Sequence, residues 1–283
     1  MRYSVLGPLR ILDGDREIMI SARKVEIMLA VFLVRANHVV SLSQLTTELW
    51  GDDPPRRAIA SMHVYVSNLR KILALPAETK NPIVTRHPGY LLQMEPDDLD
   101  LTLFERRVQE GKRHLAEGSY AQASRCLTAA LGLWRGPALG DLKAGPIVSG
   151  FLGWLEETRL ECIELSLDAD LALGRHPELV RRLIALTNDH PLRETFHHRL
   201  MLALYRSGRQ VEALQVYQTV RDIFHRDLGL EPSRPLRDLQ QAILQADEGL
   251  DLHSRMPRAC RGESRSGAVS EMARTVFSRD RRR

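Results

Sequence analysis

Along the first hundred residues the spacing of apolar positions changes repeatedly, and each change marks a new element. The short runs YSVLG, LRILD and EIMI, with Gly14 turning the chain in DGDRE, predict a small antiparallel sheet over residues 3–20. Val25, Met28, Leu29, Phe32 and Leu33 then recur at helical spacing across residues 22–36, and Asn37 supplies a C-terminal stop. A second, shorter helix follows: Ser41 caps it with Gln44 three residues on, Leu42, Leu45 and Leu49 form its buried stripe, and Gly51 ends it. DDPP is a turn, after which residues 56–73 predict a third helix closed off by Pro76. In PIVTRHPGYLLQ the period changes again, and β-branched residues around a Pro88-Gly89 turn, with Tyr90 after it, predict a two-stranded hairpin. Small sheet, helix, turn, helix and hairpin is the layout of a winged helix-turn-helix.

The third helix has the two faces that such a layout demands. Ile59, Met62, Val66, Leu69 and Leu73 lie within about an 80° arc and are expected in the core, with Ala58 and Tyr65 at its edge. Opposite them stand Arg57, Ala60, Ser61, Val64, Ser67, Asn68 and Lys71, flanked by His63 and Arg70. A merely solvated face would be rich in Glu and Lys, yet there is no acid between residues 56 and 77. Arg can bridge two guanine acceptors, Asn can read adenine, Val can meet a thymine methyl, and Lys and Ser can hold phosphates. Arg86, at the hairpin, is placed to reach the DNA backbone or the adjacent minor groove. The candidate DNA-binding set is therefore Arg57, Val64, Ser67, Asn68, Arg70, Lys71 and Arg86.

At 283 residues the chain exceeds what one core usually serves, so two folded units with a linker or tail are expected. Its net charge of +4 is too small to identify a partner, but the distribution is uneven. Residues 1–96 balance at +3, 97–251 at −5 and 252–283 at +6, and within the first block residues 56–90 alone carry +5. That concentration on the third helix and hairpin is a polyanion signal. Three cysteines, with no CxxC pair, exclude a disulfide framework or a thiolate zinc finger and fit a reducing cytosol. No export signal and no run of about 18 apolar residues is present, so a cytoplasmic, nucleoid-associated protein with no membrane contact is expected.

Residues 97–251 read as helix after helix. Gly118, Gly174 and Gly208 each open one, the last two 34 residues apart, the period of a tetratricopeptide unit. Five and twelve residues beyond these glycines stand Ala123 and Ala130, Leu179 and Leu186, and Ala213 and Val220, small or apolar groups that let paired helices approach. The fold class expected is thus mainly α: a winged helix-turn-helix (α+β) over residues 1–96, then an all-α, tetratricopeptide-like domain over 97–251. Helical-repeat surfaces bind proteins or peptides, and the acidic balance disfavours wrapping nucleic acid. The Arg-, Ser- and Gly-rich residues 252–283 lack apolar periodicity and are expected to be a disordered tail.

These strings also carry a resemblance. LWG at Leu49 to Gly51, DDPP, YVSNLRK at Tyr65 to Lys71 and TRHPGYLL at Thr85 to Leu92 resemble the OmpR-type winged helix. The resemblance implies that the third helix enters the major groove, that the wing arginine approaches the minor groove, and that Val64, Ser67, Asn68, Arg70 and Arg86 occupy contacting positions. Positions 67 and 68, often arginine in response regulators of this type, are Ser and Asn, and no receiver domain precedes, so aspartyl phosphorylation is not expected. LDLTLFERRVQEGKRHLAEGSY, LGLWRGPALGDL, LALGRHPELVRRLIAL, HPLRETFHHRLMLALYRSGRQVEALQVYQ and LGLEPSRPLRDLQQAIL resemble the bacterial transcriptional activator domain. Both halves, in this order over about residues 1–247, resemble the short form of the Streptomyces antibiotic regulatory protein (SARP) family. That implies a pathway-specific activator binding direct repeats near a promoter's −35 element, recruiting RNA polymerase holoenzyme with its sigma factor, and assembling head to tail as a homodimer on DNA.

No GxxxxGK[ST], HExxH or GxSxG motif occurs, so no enzyme and no cofactor is expected. His197 and His198 have no partner at ligand spacing, so no metal is expected either. Cys126 and Cys162 read as small core residues, and Trp134 and Trp154 as packing aromatics. The alternative from another class is a helical-repeat adaptor or ligand sensor whose winged helix makes protein contacts.

Overall fold

The computed structural model describes residues 1–74, 81–142 and 144–251. The helix stop expected at Pro76, Cys260 and the tail expected over 252–283 lie outside the described residues. Three short strands, β1 (Arg2–Ser4), β2 (Arg10–Asp13) and β3 (Arg16–Ile18), form an antiparallel sheet in the order β1-β2-β3. Then come α1 (Arg23–Val34), β4 (Val40–Ser41), α2 (Leu42–Trp50) and α3 (Ala58–Ile72). The hairpin β5 (Ile83–Arg86) and β6 (Gly89–Leu92) closes the wing, with β4 joined to it in the order β4-β6-β5. At Gly89 an added Cβ would sit 1.9 Å from the Val40 carbonyl oxygen, so β4 can approach only a glycine.

The expected capping box is present. Ser41 Oγ accepts from the Gln44 backbone N–H at 3.2 Å, and Gln44 Oε1 accepts from the Ser41 N–H at 2.9 Å. In α1 the burial exceeds the single stripe that periodicity predicts: Val25 and every residue from 27 to 33 are buried. The reason lies in the second half of the chain, whose long helix packs on the side of α1 that would otherwise face water.

The remaining helices are α4 (Asp100–Ala116), α5 (Tyr120–Leu131), α6 (Pro146–Ala172), α7 (His176–Asp189), α8 (Glu194–Arg206), α9 (Gln210–Leu228) and α10 (Arg234–Leu244). The main packing is α4 on α5, α5 on α6, α7 on α8 and α8 on α9, with a smaller contact between α6 and α7. The α4–α5, α6–α7 and α8–α9 turns each hold a glycine in the left-handed region, Gly118, Gly174 and Gly208, the positions singled out as helix openings. Ala123, Ala130, Ala213 and Val220 are fully buried and Leu179 nearly so, which lets the paired helices close.

Helix α6 was not legible as one element. Its 27 residues change buried face along their length because their partners change. Val148 enters the core of the winged helix, Leu155 and Cys162 join Phe104, Ala123 and Leu127, and Leu167 and Leu171 join Phe196 and Leu200. Glu48 on α2 is buried, and its carboxylate caps α6 by accepting from Ile147 N–H at 2.8 Å and Val148 N–H at 3.0 Å. At the other edge, Asp100 accepts from Val5 N–H at 2.8 Å and Leu6 N–H at 3.2 Å. Burial pushes its carboxyl above the usual range, an effect opposed by these bonds and by Arg135. Trp154 departs from its expected packing role: it is 46% exposed and lines an open cleft with Phe151, Leu101, Glu105 and Arg35, beyond the end of α1.

Candidate nucleic-acid interface

The outer face of α3 is held at a fixed angle by aromatic packing at one end and by the wing at the other. Tyr65 stacks on Trp50 with centroids 6.3 Å apart, and Lys24 covers the same Trp50 ring while donating to the Leu49 carbonyl at 2.6 Å. Burial lowers the Lys24 pKa from its ordinary value. Thus the C-terminus of α2 is tied to both α1 and α3.

Beneath α3, Met62, Val66, Leu69 and Leu73 enter the core as the periodicity requires. Ile59 does not: although its angular position lies beside Val66, it is 56% exposed. Ala58, the residue before it, is buried, so the exposure belongs to the Ile59 side chain and not to the first turn of α3 as a whole.

Of the predicted site residues, Arg57, Val64, Ser67, Asn68 and Lys71 are exposed on α3 or immediately before it, and Arg86 is exposed at the wing turn. Val64 is 56% exposed, an aliphatic side chain offered outward at the middle of the face. Arg70 is placed differently. Its Nε donates to the Ile83 carbonyl at 3.1 Å and its Nη2 to Thr85 Oγ1 at 2.8 Å, and the guanidinium lies 5.7 Å from the Tyr90 ring centroid. Asn81 closes the same joint, donating to the Arg70 carbonyl at 2.8 Å. With its fork engaged by β5, Arg70 orients the wing against α3. His63, one turn before Ser67, meets Tyr90 edge-on at 6.5 Å and is exposed on the flank of this face.

Together these residues form a surface with cations at its ends (Arg57, Lys71, Arg86) and uncharged groups between them. Such a surface can hold phosphates at its margins and present small apolar and polar groups to base edges.

Both halves of the chain match known families. Residues 15–92 match the family described as transcriptional regulatory protein, C terminal, and residues 99–244 match the bacterial transcriptional activator domain. Regulatory protein DnrI of Streptomyces peucetius is 38% identical over 257 residues, covering 89% of this chain and 94% of DnrI. The chain belongs to the SARP family of transcriptional regulators. This SARP-family chain is also 40% identical over 250 residues to regulatory protein AfsR of Streptomyces griseus, but spans only 25% of that protein's length. A solved structure, Mycobacterium tuberculosis EmbR in complex with a low affinity phosphopeptide, superposes with a TM-score of 0.83 at 35% identity. The match covers 89% of this chain and 67% of the EmbR chain.

The His197 Nε2–H donates to the Pro191 carbonyl at 2.9 Å, and among the described residues no group of three or more His, Cys, Asp or Glu could hold a metal ion. Cys162 is buried and its thiol is pushed up to about 12 by burial. Among the described residues no helix is long and apolar enough to cross a membrane.

Proposed function

We propose that this protein is a sequence-specific DNA-binding transcriptional activator, with residues 1–96 as its DNA-binding domain and 97–251 as its activator domain. It inserts α3 into the major groove of direct repeats near a promoter's −35 element, and it recruits RNA polymerase holoenzyme, including its sigma factor, to secondary-metabolite genes in the cytoplasm. The observation that carries this reading is the acid-free outer face of α3, exposed from Arg57 to Lys71 and flanked by Arg86 of the wing. Copies on direct repeats one helical turn apart are related by translation, so their contact is head to tail, and DNA raises their local concentration. The acidic balance of the helical unit favours a protein partner over nucleic acid there.

Fluorescence anisotropy of the full chain on a direct-repeat promoter duplex tests the DNA contact. Lys71→Ala combined with Arg86→Ala is expected to weaken binding and to lower the slope of log affinity against log salt by roughly two, since each phosphate contact contributes about 0.9. An unchanged slope and affinity overturns the reading, and binding indifferent to salt favours the adaptor alternative. Transcription in vitro with purified holoenzyme tests recruitment, with no increase in transcript counting against it.

A further inference from the structure

The cleft beyond the end of α1 takes its walls from both halves of the chain: Arg35 comes from the winged helix, Glu105 from α4, and Gly150, Phe151 and Trp154 from α6. At 100° per residue the last three fall within about a 100° arc of α6, beside the arc on which Val148 and Leu155 enter the cores. The volume is about 510 Å³. Small-molecule sites occupy roughly 300–1,000 Å³ and favour joints between folded units.

Three independent features meet there. The Trp154 ring is exposed, tilted against Phe151 with centroids 5.7 Å apart, so an aromatic surface faces the opening. Gly150 lies inside α6, where glycine weakens a helix relative to alanine, yet an added Cβ would meet nothing within 4 Å. No neighbour within the chain calls for that glycine, whereas an occupant lying close to the helix backbone would. Finally, among the described residues neither the Glu105 carboxyl nor the Arg35 guanidinium has a hydrogen bond or ion pair, and burial raises the Glu105 pKa above its ordinary value with nothing opposing it. A partly desolvated carboxyl and an unpaired guanidinium in one cleft leave an acceptor and a donor to be met from outside the chain. The apolar face begins where α6 begins and gives way to Glu157 and Thr158 after Trp154, a length of about 10 Å at 1.5 Å per residue. That is the scale of one fused ring system.

We propose that this cleft binds a planar aromatic small molecule, its ring laid on Trp154 and Phe151 against the bare backbone at Gly150, a hydroxyl or N–H donating to Glu105 and an anionic or carbonyl oxygen accepting from Arg35. Because Arg35 ends α1 while the other groups stand on α4 and α6, the occupant bridges the two halves. The inference does not depend on the DNA-binding reading.

Fluorescence titration of the full chain with anilinonaphthalene sulfonate, which carries an aromatic ring system, an N–H and an anion, tests it, with naphthol, which carries only a hydroxyl, as the second probe. One saturable site is expected for each. Gly150→Leu fills the cleft and should weaken both probes roughly tenfold or more while raising Tm by about 2–4 °C, since leucine is the better helix former. Trp154→Ala should lose roughly tenfold and Trp154→Phe much less. Arg35→Ala should weaken the sulfonate probe and leave naphthol unchanged, and Glu105→Ala should weaken naphthol.

The absence of a saturable site, or wild-type affinity in both Gly150→Leu and Trp154→Ala, overturns the inference. Wild-type binding of both probes by Arg35→Ala and Glu105→Ala overturns it too, because the contact would then be apolar alone. A sedimentation coefficient that falls in Gly150→Leu, with no probe site in the wild type, overturns it in favour of a contact between copies.

Discussion

His176 shows how one side chain can set the pH response of the helical unit. It is buried at the start of α7, and neither ring nitrogen has a hydrogen-bond partner. Desolvation, followed by the charge of Arg206, lowers its pKa from the ordinary 6.5. As pH falls through 6.5 the unfolded chain takes up the proton first, so the stability present above that value is lost toward the lowered folded pKa. His197 has the same sign, because desolvation lowers its pKa against smaller opposing effects of the Pro191 carbonyl and Glu194. The expected outcome is a Tm that falls between about pH 7 and pH 5. His176→Leu should flatten part of that fall, since it removes both the titration and the unsatisfied nitrogens. An equally steep profile in the variant would show that other groups govern it.

At the scale of elements, two joints determine what the recognition helix can do. The first is Arg70, which ties α3 to the wing through Ile83, Thr85 and Tyr90. Because its Nε and Nη2 are bonded to β5, Arg70→Ala is expected to weaken DNA binding through a misplaced wing while leaving the salt slope unchanged. A slope reduced by about 0.9 would instead identify a phosphate contact. The second joint is Glu48, the buried cap on α6. Hydrogen bonds to charged groups are each worth about 1.5–3 kcal/mol, so Glu48→Ala should cost at least about that much in urea unfolding, and Glu48→Gln less. Gly145 belongs to the same joint: an added Cβ would lie 2.7 Å from the Glu48 Cα, so Gly145→Ala must displace backbone.

For the molecule as a whole, the winged helix does not own its core. Leu139, Leu142 and Val148 are buried among the same side chains as Phe32, Met62 and Leu92, and Leu6 is buried with Phe104 and Leu127 on the other side. Each such aliphatic side chain contributes about 1.5–3 kcal/mol by burial, against a total stability of about 5–15 kcal/mol for a typical domain. A fragment of residues 1–96 is therefore expected to melt well below the full chain, as circular dichroism would show. A fragment as stable as the whole would mean that these contacts contribute little. Any deletion meant to separate DNA binding from activation must allow for this shared core.

By itself, the sequence determined whatever depends on residues within a few turns of one another. Examples are the order of sheet, helices and hairpin, the Ser41–Gln44 cap, the buried stripe of α3 from Met62 to Leu73, and the glycine turns of the αα-hairpins. The exposed outer face of α3 was legible in the same way, because an acid-free face is a property of one helix. Tertiary structure decided what each face meets. It buried α1 beyond its stripe, joined residues 146–172 into one helix with changing partners, turned Arg70 onto the wing and left Ile59 outside the core. Such outcomes rest on contacts between distant positions, as between Glu48 and Val148, which stand 100 residues apart. Helical periodicity records which way a side chain points and carries no record of the surface it will meet.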